Sequence, residues 1–141
     1  MRHETQYSTC ALIVVAKRPS PGSTKTRLSP PFSPEEAARL YECFLLDVLD
    51  LVRQAARRSA GIAIQPVLAY LPETAGDYFH SIAPDFECLP QQGNDLGERL
   101  DNVLTHYLHN DCRSAAVMNS DSPTLPPAYL GEVFSALAHG A

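Results

Sequence analysis

Apolar residues in this chain form two kinds of pattern, short continuous runs and longer stretches with helical spacing. The run from Cys10 to Ala16 is apolar throughout and rich in β-branched residues, which predicts a strand buried on both faces of a parallel sheet. Residues 34–58 place apolar and charged side chains on opposite faces, which predicts an amphipathic helix. Ser33 and Glu36, with Pro34 at the first helical position, predict its start through a capping box. Its apolar face comprises Leu40, Tyr41, Phe44, Leu45, Val48, Leu51, Val52 and Ala55.

The same alternation continues through the rest of the chain. Further strands are predicted at 66–71, 86–89 and 114–118, and further helices at 73–81, 96–108 and 127–138. The apolar stripe of the helix at 96–108 comprises Leu96, Leu100, Val103, Leu104, Tyr107 and Leu108. Strands that alternate with helices predict an α/β fold with a parallel sheet and right-handed crossovers. The 141 residues predict one domain, 1–141, and because the pattern stops where another strand would begin, we expect a fold truncated at the C-terminus.

The overall composition narrows the classes of function. The net charge of −5 argues against general binding to a nucleic-acid backbone, which requires a basic face. No apolar run approaches the ~20 residues that cross a bilayer, so we expect no membrane span. The polar start of the chain does not resemble a secretory signal, and we therefore expect a cytoplasmic protein. The four cysteines are widely spaced without a C-x-x-C pair, which predicts free thiols.

A basic segment, Lys17–Arg27, follows the first predicted strand. It contains four of the eleven lysines and arginines of the chain in eleven positions. Because ligands of open α/β sheets bind beyond the carboxyl ends of strands, we predict a phosphate site here. Neither familiar phosphate motif is present, since Thr24 rather than glycine precedes Lys25 and Gly22 stands alone. The alternative is a solvated loop with incidental charge. The residues predicted to contact phosphate are Lys17, Gly22, Ser23, Lys25, Thr26 and Arg27.

Two further segments carry candidate chemistry. Asp121 follows the strand predicted at 114–118, and one aspartate together with phosphate oxygens is sufficient to hold Mg²⁺. A turn aspartate that bonds to its own backbone is an equally good interpretation, because Asp-Ser-Pro favours such turns. Asp95 and Glu98 resemble a capping box before the helix at 96–108, and Arg99 projects from its first turn.

Three segments together resemble one family. They are A-K-R-P-S-P-G-S-T-K-T-R-L at 16–28, Q-G-N-D-L-G-E-R-L at 92–100 and N-S-D-S-P-T-L-P at 119–126. In this order they resemble uncharacterised bacterial glycosyltransferase-like proteins of the GT-A nucleotide-diphospho-sugar transferase superfamily. The resemblance runs from about Ala11 to the end of the chain and implies a Rossmann-like three-layer α/β/α fold with a mostly parallel sheet. It also implies a nucleoside triphosphate or nucleotide sugar over the first strand's loop, and Mg²⁺ or Mn²⁺ held by an aspartate after the fourth strand.

Several residue roles follow from the resemblance. Asn119 stands where the first aspartate of the D-x-D pair of many GT-A transferases would be, which leaves Asp121 as the implied metal ligand. Lys25 and Asp121 are the implied catalytic residues. Relatives continue into further strands and a D-G-G-Y-like segment on the acceptor side, and nothing in this sequence matches that segment. The residues implied to contact the nucleotide are Lys17, Gly22, Lys25, Arg27, Asp95, Gly97, Arg99 and Ser122.

The leading hypothesis is therefore a metal-dependent transferase with a nucleotide-activated donor, specifically a glycosyltransferase that acts on a nucleotide sugar. The sequence identifies neither the acceptor nor a general base. One alternative is a guanylyltransferase-like nucleotidyltransferase that releases pyrophosphate. Another is a non-catalytic nucleotide-binding module. A sheet that ends in an exposed edge would also allow a homo-oligomer.

Overall fold

The computed structural model describes residues 8–21, 32–58, 62–110 and 112–120. Both long helices have the bounds that the sequence predicted, whereas the first two strands are longer than predicted and the third begins one residue later. The short helix predicted at 73–81 is a 3₁₀ turn, Glu73–Ala75, followed by an α-helix. The predicted helix at 127–138 lies outside the described residues. The elements are β1 (Ser8–Lys17), α1 (Pro34–Arg58), β2 (Ile62–Leu71), α2 (Gly76–Ile82), β3 (Glu87–Pro90), α3 (Leu96–Leu108) and β4 (Ser114–Asn119).

The predicted capping box starts α1. The Ser33 backbone N–H donates to Glu36 Oε1 at 2.9 Å, and the Glu36 backbone N–H donates to Ser33 Oγ at 3.1 Å. These hydrogen bonds to Ser33 hold the pKa of Glu36 below its ordinary value. The first turn of the helix therefore has partners for backbone donors that a helix cannot satisfy by itself.

The four strands form one sheet in the order β3-β2-β1-β4, and every pair of neighbours is parallel. β1 lies between β2 and β4, with Lys17 opposite Leu71 and Val15 opposite Asn119. The chain builds β2 and β3 on one side of β1 and then crosses to the other side to form β4. The parallel α/β fold that the sequence predicted is therefore confirmed.

Two apolar clusters lie on opposite faces of the sheet. α1 and α2 cover one face, on which Leu45, Val48 and Phe79 pack against β1 and β2. α3 covers the other face through Val103 and Tyr107. The fold thus has the three predicted layers, and β1 is buried on both faces as predicted.

The predicted stripe of α3 is wrong at its two ends. Leu96 is 55% exposed and Leu108 is 48% exposed, although both were predicted to belong to the apolar face. They are the first and last residues of the helix, and the buried contacts with the sheet are made between them by Val103 and Tyr107. None of the described helices is both long and apolar enough to cross a membrane.

Candidate functional site

All four strands end at the same edge of the sheet, here named the carboxyl edge. In an open parallel sheet, ligands bind beyond this edge where the strand order reverses. The order reverses between β1 and β4, which lie side by side although they are the first and the last of the described strands along the chain. β1 ends at Lys17 and β4 at Asn119, so the basic segment and the N-S-D-S-P-T-L-P segment both start at this point.

A buried tyrosine joins these two strand ends. The Lys17 backbone N–H donates to the Tyr41 hydroxyl at 3.1 Å, and the same hydroxyl shares a hydrogen bond with Ser120 Oγ at 2.6 Å. Tyr41 and Ser120 are each 5% exposed. The sequence predicted Tyr41 as a core residue and gave Ser120 no role. The signal that would have revealed the contact is the hydroxyl itself, because a buried tyrosine oxygen requires a polar partner.

A glutamine makes a similar connection between the other strand ends. The side-chain amide of Gln91 donates to the Ala69 carbonyl at 2.9 Å and to the Ala16 carbonyl at 3.4 Å. Its backbone N–H donates to the Tyr70 carbonyl at 2.9 Å. Gln91 therefore links β3, β2 and β1 at the carboxyl edge. Sequence reasoning missed this role, since Gln91 lies just before the segment that carries the resemblance.

A cavity of about 440 Å³ opens at the ends of β1 and β2. Its volume lies within the roughly 300–1,000 Å³ range of small-molecule sites. Two of its lining residues are basic, and both are exposed. The lining residues are Lys17, Arg18, Ser20, Leu71 and Pro72, and the Leu71–Pro72 peptide bond is cis.

The side chain of Arg18 lies over an aromatic ring beside this cavity. Its guanidinium carbon is 5.4 Å from the centroid of the Tyr78 ring, a distance suited to a cation–π contact. The Tyr78 hydroxyl donates to Glu42 of α1. Burial and the Glu42 carboxylate hold the pKa of Tyr78 well above its ordinary value, so the hydroxyl stays a proton donor at neutral pH. The contact orders the Arg18 cation at the wall of the cavity.

The start of α3 lies at the carboxyl edge as well, because α3 follows β3. Asp95 Oδ1 accepts the Glu98 backbone N–H at 2.8 Å, and Glu98 Oε1 accepts the Asn94 backbone N–H at 2.8 Å. Asp95 is therefore the N-cap that the sequence predicted. In the described part of the chain, Arg99 Nε is buried without a hydrogen-bond partner. A buried arginine nitrogen without a partner is costly, and an anionic oxygen would satisfy it.

The predicted site residues fall into two sets. Asp95, Gly97 and Arg99 come together at the start of α3, and Lys17 lies at the end of β1 beside the cavity. The remaining predicted residues, Gly22, Ser23, Lys25, Thr26, Arg27, Asp121 and Ser122, lie outside the described residues. Within the described ranges no three metal-ligating side chains form a group. Asp121 lies outside these ranges, so the Mg²⁺ or Mn²⁺ site there stays a prediction.

These features define a class of protein: an open α/β fold whose strand order reverses beside a partly basic cavity. Within that class, the chain belongs to the DUF2064 family of uncharacterised proteins conserved in bacteria, whose model matches residues 52–141. No curated protein matches the chain.

A solved structure extends the comparison to most of the chain. The chain is similar to a protein from Desulfovibrio desulfuricans G20 that is provisionally named a nucleotide-diphospho-sugar transferase, with 28% identity and a TM-score of 0.77. The match covers 94% of this chain and 55% of that protein, so this chain spans a little over half of that protein's length. This similarity supports the GT-A-like fold and family that the resemblance implied.

Proposed function

We propose that this chain forms the nucleotide-binding part of a metal-dependent transferase that uses a nucleotide sugar as donor. The observation that carries the proposal is the similarity to the Desulfovibrio protein over 94% of this chain. The cavity at the ends of β1 and β2 supports it. The 28% identity makes a shared class of ligand a reasonable inference as well as a shared fold. Because this chain spans 55% of that protein's length, the complete transfer reaction is proposed here together with the ligand.

The cavity at the ends of β1 and β2 would take the nucleoside of the donor. From there the diphosphate would extend past Lys17 toward the reversal point between β1 and β4. Lys17 and Arg18 supply positive charge at the cavity itself, within a chain whose net charge is −5. Such local charge complementarity favours a phosphorylated ligand over a neutral one. The buried Arg99 Nε supports a second anionic contact at the start of α3.

Transfer would break the bond between the anomeric carbon and the diphosphate oxygen. The acceptor oxygen would form a new bond to that carbon and lose its proton to a base outside the residues assigned here. The leaving diphosphate gains negative charge, so stabilisation of that charge is the main task of the site. We assign it to Lys25, Arg27 and Arg99, and we assign Mg²⁺ or Mn²⁺ binding to Asp121. A divalent cation would supply Lewis-acid stabilisation of the same oxygens.

Thermal unfolding against a panel of nucleotide sugars and nucleoside triphosphates, with and without Mg²⁺ or Mn²⁺, tests the proposal. A ligand that binds the folded state raises the free energy of unfolding by about 2.7 kcal/mol at a hundredfold excess over its Kd. We expect a metal-dependent increase with one class of nucleotide sugar. Asp121→Asn should remove the metal dependence. The matched control is Asp47→Asn, which makes the same change on the exposed side of α1.

Product analysis then identifies the reaction. Release of a nucleoside diphosphate from the sugar donor supports the glycosyl transfer. Release of pyrophosphate from a nucleoside triphosphate would instead identify the reaction as a nucleotidyl transfer. Ligand binding without turnover would restrict this chain to nucleotide binding. If no nucleotide changes the unfolding of the wild-type chain, the proposal is wrong.

A further inference from the structure

We propose that Tyr41 is a positioning residue that couples the phosphate side of the site to its metal side. The inference rests on the proposed function and adds a residue and a role to it. Tyr41 lies on α1 and belongs to none of the segments that carry the family resemblance. Its hydroxyl contacts Lys17, the first residue of the basic segment, and Ser120, which directly precedes Asp121 in the sequence.

The pattern of backbone bonds explains why the Lys17 N–H needs this hydroxyl. Successive residues of a strand direct their backbone groups to opposite neighbours. The Thr9 carbonyl accepts the Arg113 N–H on the β4 side, and the Arg18 N–H donates to the Leu71 carbonyl on the β2 side. Odd-numbered residues of β1 therefore face β4, and the Lys17 N–H faces β4 as well.

β4 has already ended at that level of the sheet. The last residue of β4 that pairs with β1 is Asn119, opposite Val15, two residues before Lys17. The Tyr41 hydroxyl occupies the position where the next strand acceptor would stand, at 3.1 Å from the Lys17 nitrogen. It also holds the first residue after β4, through its 2.6 Å hydrogen bond with Ser120 Oγ. One oxygen atom thus fixes both strand ends at the point where they separate.

The surroundings make this connection stiff. Tyr41 and Ser120 are each 5% exposed, so bulk water is poorly placed to replace either partner. The Tyr41 ring is carried by α1, whose neighbouring turns are anchored in the core by Leu45 and Val48, both fully buried. Sites that bind charged ligands depend on positions held to within about 0.5 Å, and supporting hydrogen bonds provide that precision. The proposed role of Tyr41 is therefore to hold Lys17 and Ser120 in place.

A purely structural tyrosine would stabilise the fold without affecting the coupling between metal and nucleotide. The two roles are separated by the factor by which Mg²⁺ strengthens nucleotide binding, which is a coupling free energy between two sites. Tyr107 provides a matched control. It is 4% exposed, and its hydroxyl donates to Glu87, the first residue of β3, at the sheet edge opposite the carboxyl edge.

The experiment measures nucleotide affinity by calorimetry, with and without Mg²⁺, for the wild-type chain and four variants. These are Tyr41→Phe, Ser120→Ala, the double variant and Tyr107→Phe. We expect Tyr41→Phe to weaken nucleotide binding in Mg²⁺ by about three- to tenfold, the effect of losing one hydrogen bond, with a smaller change in its absence. Ser120→Ala should act in the same direction, and the double variant should lose less than the product of the two single losses. Tyr107→Phe should lower the unfolding temperature and leave the Mg²⁺ factor unchanged.

Each other outcome has one meaning. If the wild-type chain shows no metal-dependent nucleotide binding, the proposed function fails and the positioning role fails with it. If the wild-type chain binds and Tyr41→Phe keeps the same Mg²⁺ factor, the positioning role alone is overturned. The role is also overturned if Tyr107→Phe lowers the factor equally or if the losses multiply. Should Tyr41→Phe not fold, Ser120→Ala decides, because it retains the bond between Tyr41 and Lys17.

Discussion

We expect two glycines near the start of α3 to respond in opposite ways to an added methyl group. Gly93 has a φ of +136°, in the region that residues with a side chain avoid. A Cβ at Gly93 would lie 2.9 Å from the Arg99 backbone nitrogen and 3.1 Å from the Glu98 carbonyl carbon. Gly97 is the second residue of α3, and a Cβ there would lie 3.5 Å from Asp95 Oδ1, an ordinary contact. We therefore expect Gly93→Ala to destabilise the fold and Gly97→Ala to stabilise it.

The magnitudes follow from these contacts. For Gly93→Ala, an unfavourable φ costs about 1–3 kcal/mol and contact with immovable backbone atoms adds about 1–3 kcal/mol. The free energy of unfolding should thus fall by at least about 2 kcal/mol. For Gly97→Ala, the gain is about 0.5–1 kcal/mol, because alanine restricts the unfolded chain and favours the helix. At roughly 3 °C per kcal/mol for a chain of this size, Tm should fall by about 6 °C or more in the first variant and rise by about 2–3 °C in the second.

Thermal and urea unfolding, followed by circular dichroism, measures both changes. Gly97 is also a predicted nucleotide contact, so nucleotide titration of the Gly97→Ala variant provides a second readout. We expect this variant to be more stable and to bind nucleotide more weakly, since the added methyl group would occupy space that the nucleotide needs to approach the protein backbone at Gly97. If both variants change Tm in the same direction, the geometry inferred for the start of α3 is wrong. If Gly97→Ala binds nucleotide as the wild type does, Gly97 is not a ligand contact.

Three further predictions concern other parts of the structure. Asp95→Asn should keep the cap of α3 and unfold like the wild type in urea, whereas Asp95→Ala should lose about 1 kcal/mol, so equal losses would contradict the capping role. The Arg53 guanidinium beside Asp85 holds the pKa of that carboxyl below its ordinary value. The ion pair therefore stabilises the folded state above about pH 4, and this stabilisation is lost as the pH falls through the lowered pKa. Asp85→Asn should therefore cost less than about 1 kcal/mol at neutral pH and reduce the loss of stability in acid, and an unchanged acid profile would contradict this account. Burial raises the pKa of the Cys88 thiol to about 11, so iodoacetamide at mildly alkaline pH should modify the exposed Cys43 well before Cys88. Mass spectrometry measures the two rates, and equal rates would contradict the raised pKa of Cys88.

The sequence predicted helices better than strands because helix ends carry local signals. Ser33 and Asp95 are each followed three residues later by a glutamate, and both helices begin where these signals place them. No comparable signal marks the start of β2, which was predicted at Pro66 and begins at Ile62. β3 first pairs with β2 at Val67, so at Pro66 the side of β2 toward β3 has no partner strand. A proline is tolerated there because its missing N–H removes no bond of the ladder.

Topology determines where the candidate site lies in the fold. Strands alternating with helices imply a carboxyl edge, and the basic segment follows β1, so Lys17 lies at this edge and lines the cavity. Its contact with phosphate stays a prediction. The contacts of Tyr41 and Gln91 were not predictable in the same way. Each side chain bonds a strand end that is distant in sequence, and such bonds depend on the register between strands, which the hydrophobic pattern does not specify.

The position of Tyr41 also connects α1 to the candidate site, although sixteen residues separate α1 from the end of β1 along the chain. The apolar face of α1 forms much of the core against β1 and β2, and the same face carries the hydroxyl that holds the ends of β1 and β4. A substitution that shifts α1 along the sheet would therefore move the Lys17 and Ser120 contacts together. The geometry of the carboxyl edge therefore depends on how α1 packs in the core. We expect substitutions in the core beneath Tyr41 to change ligand affinity as well as stability.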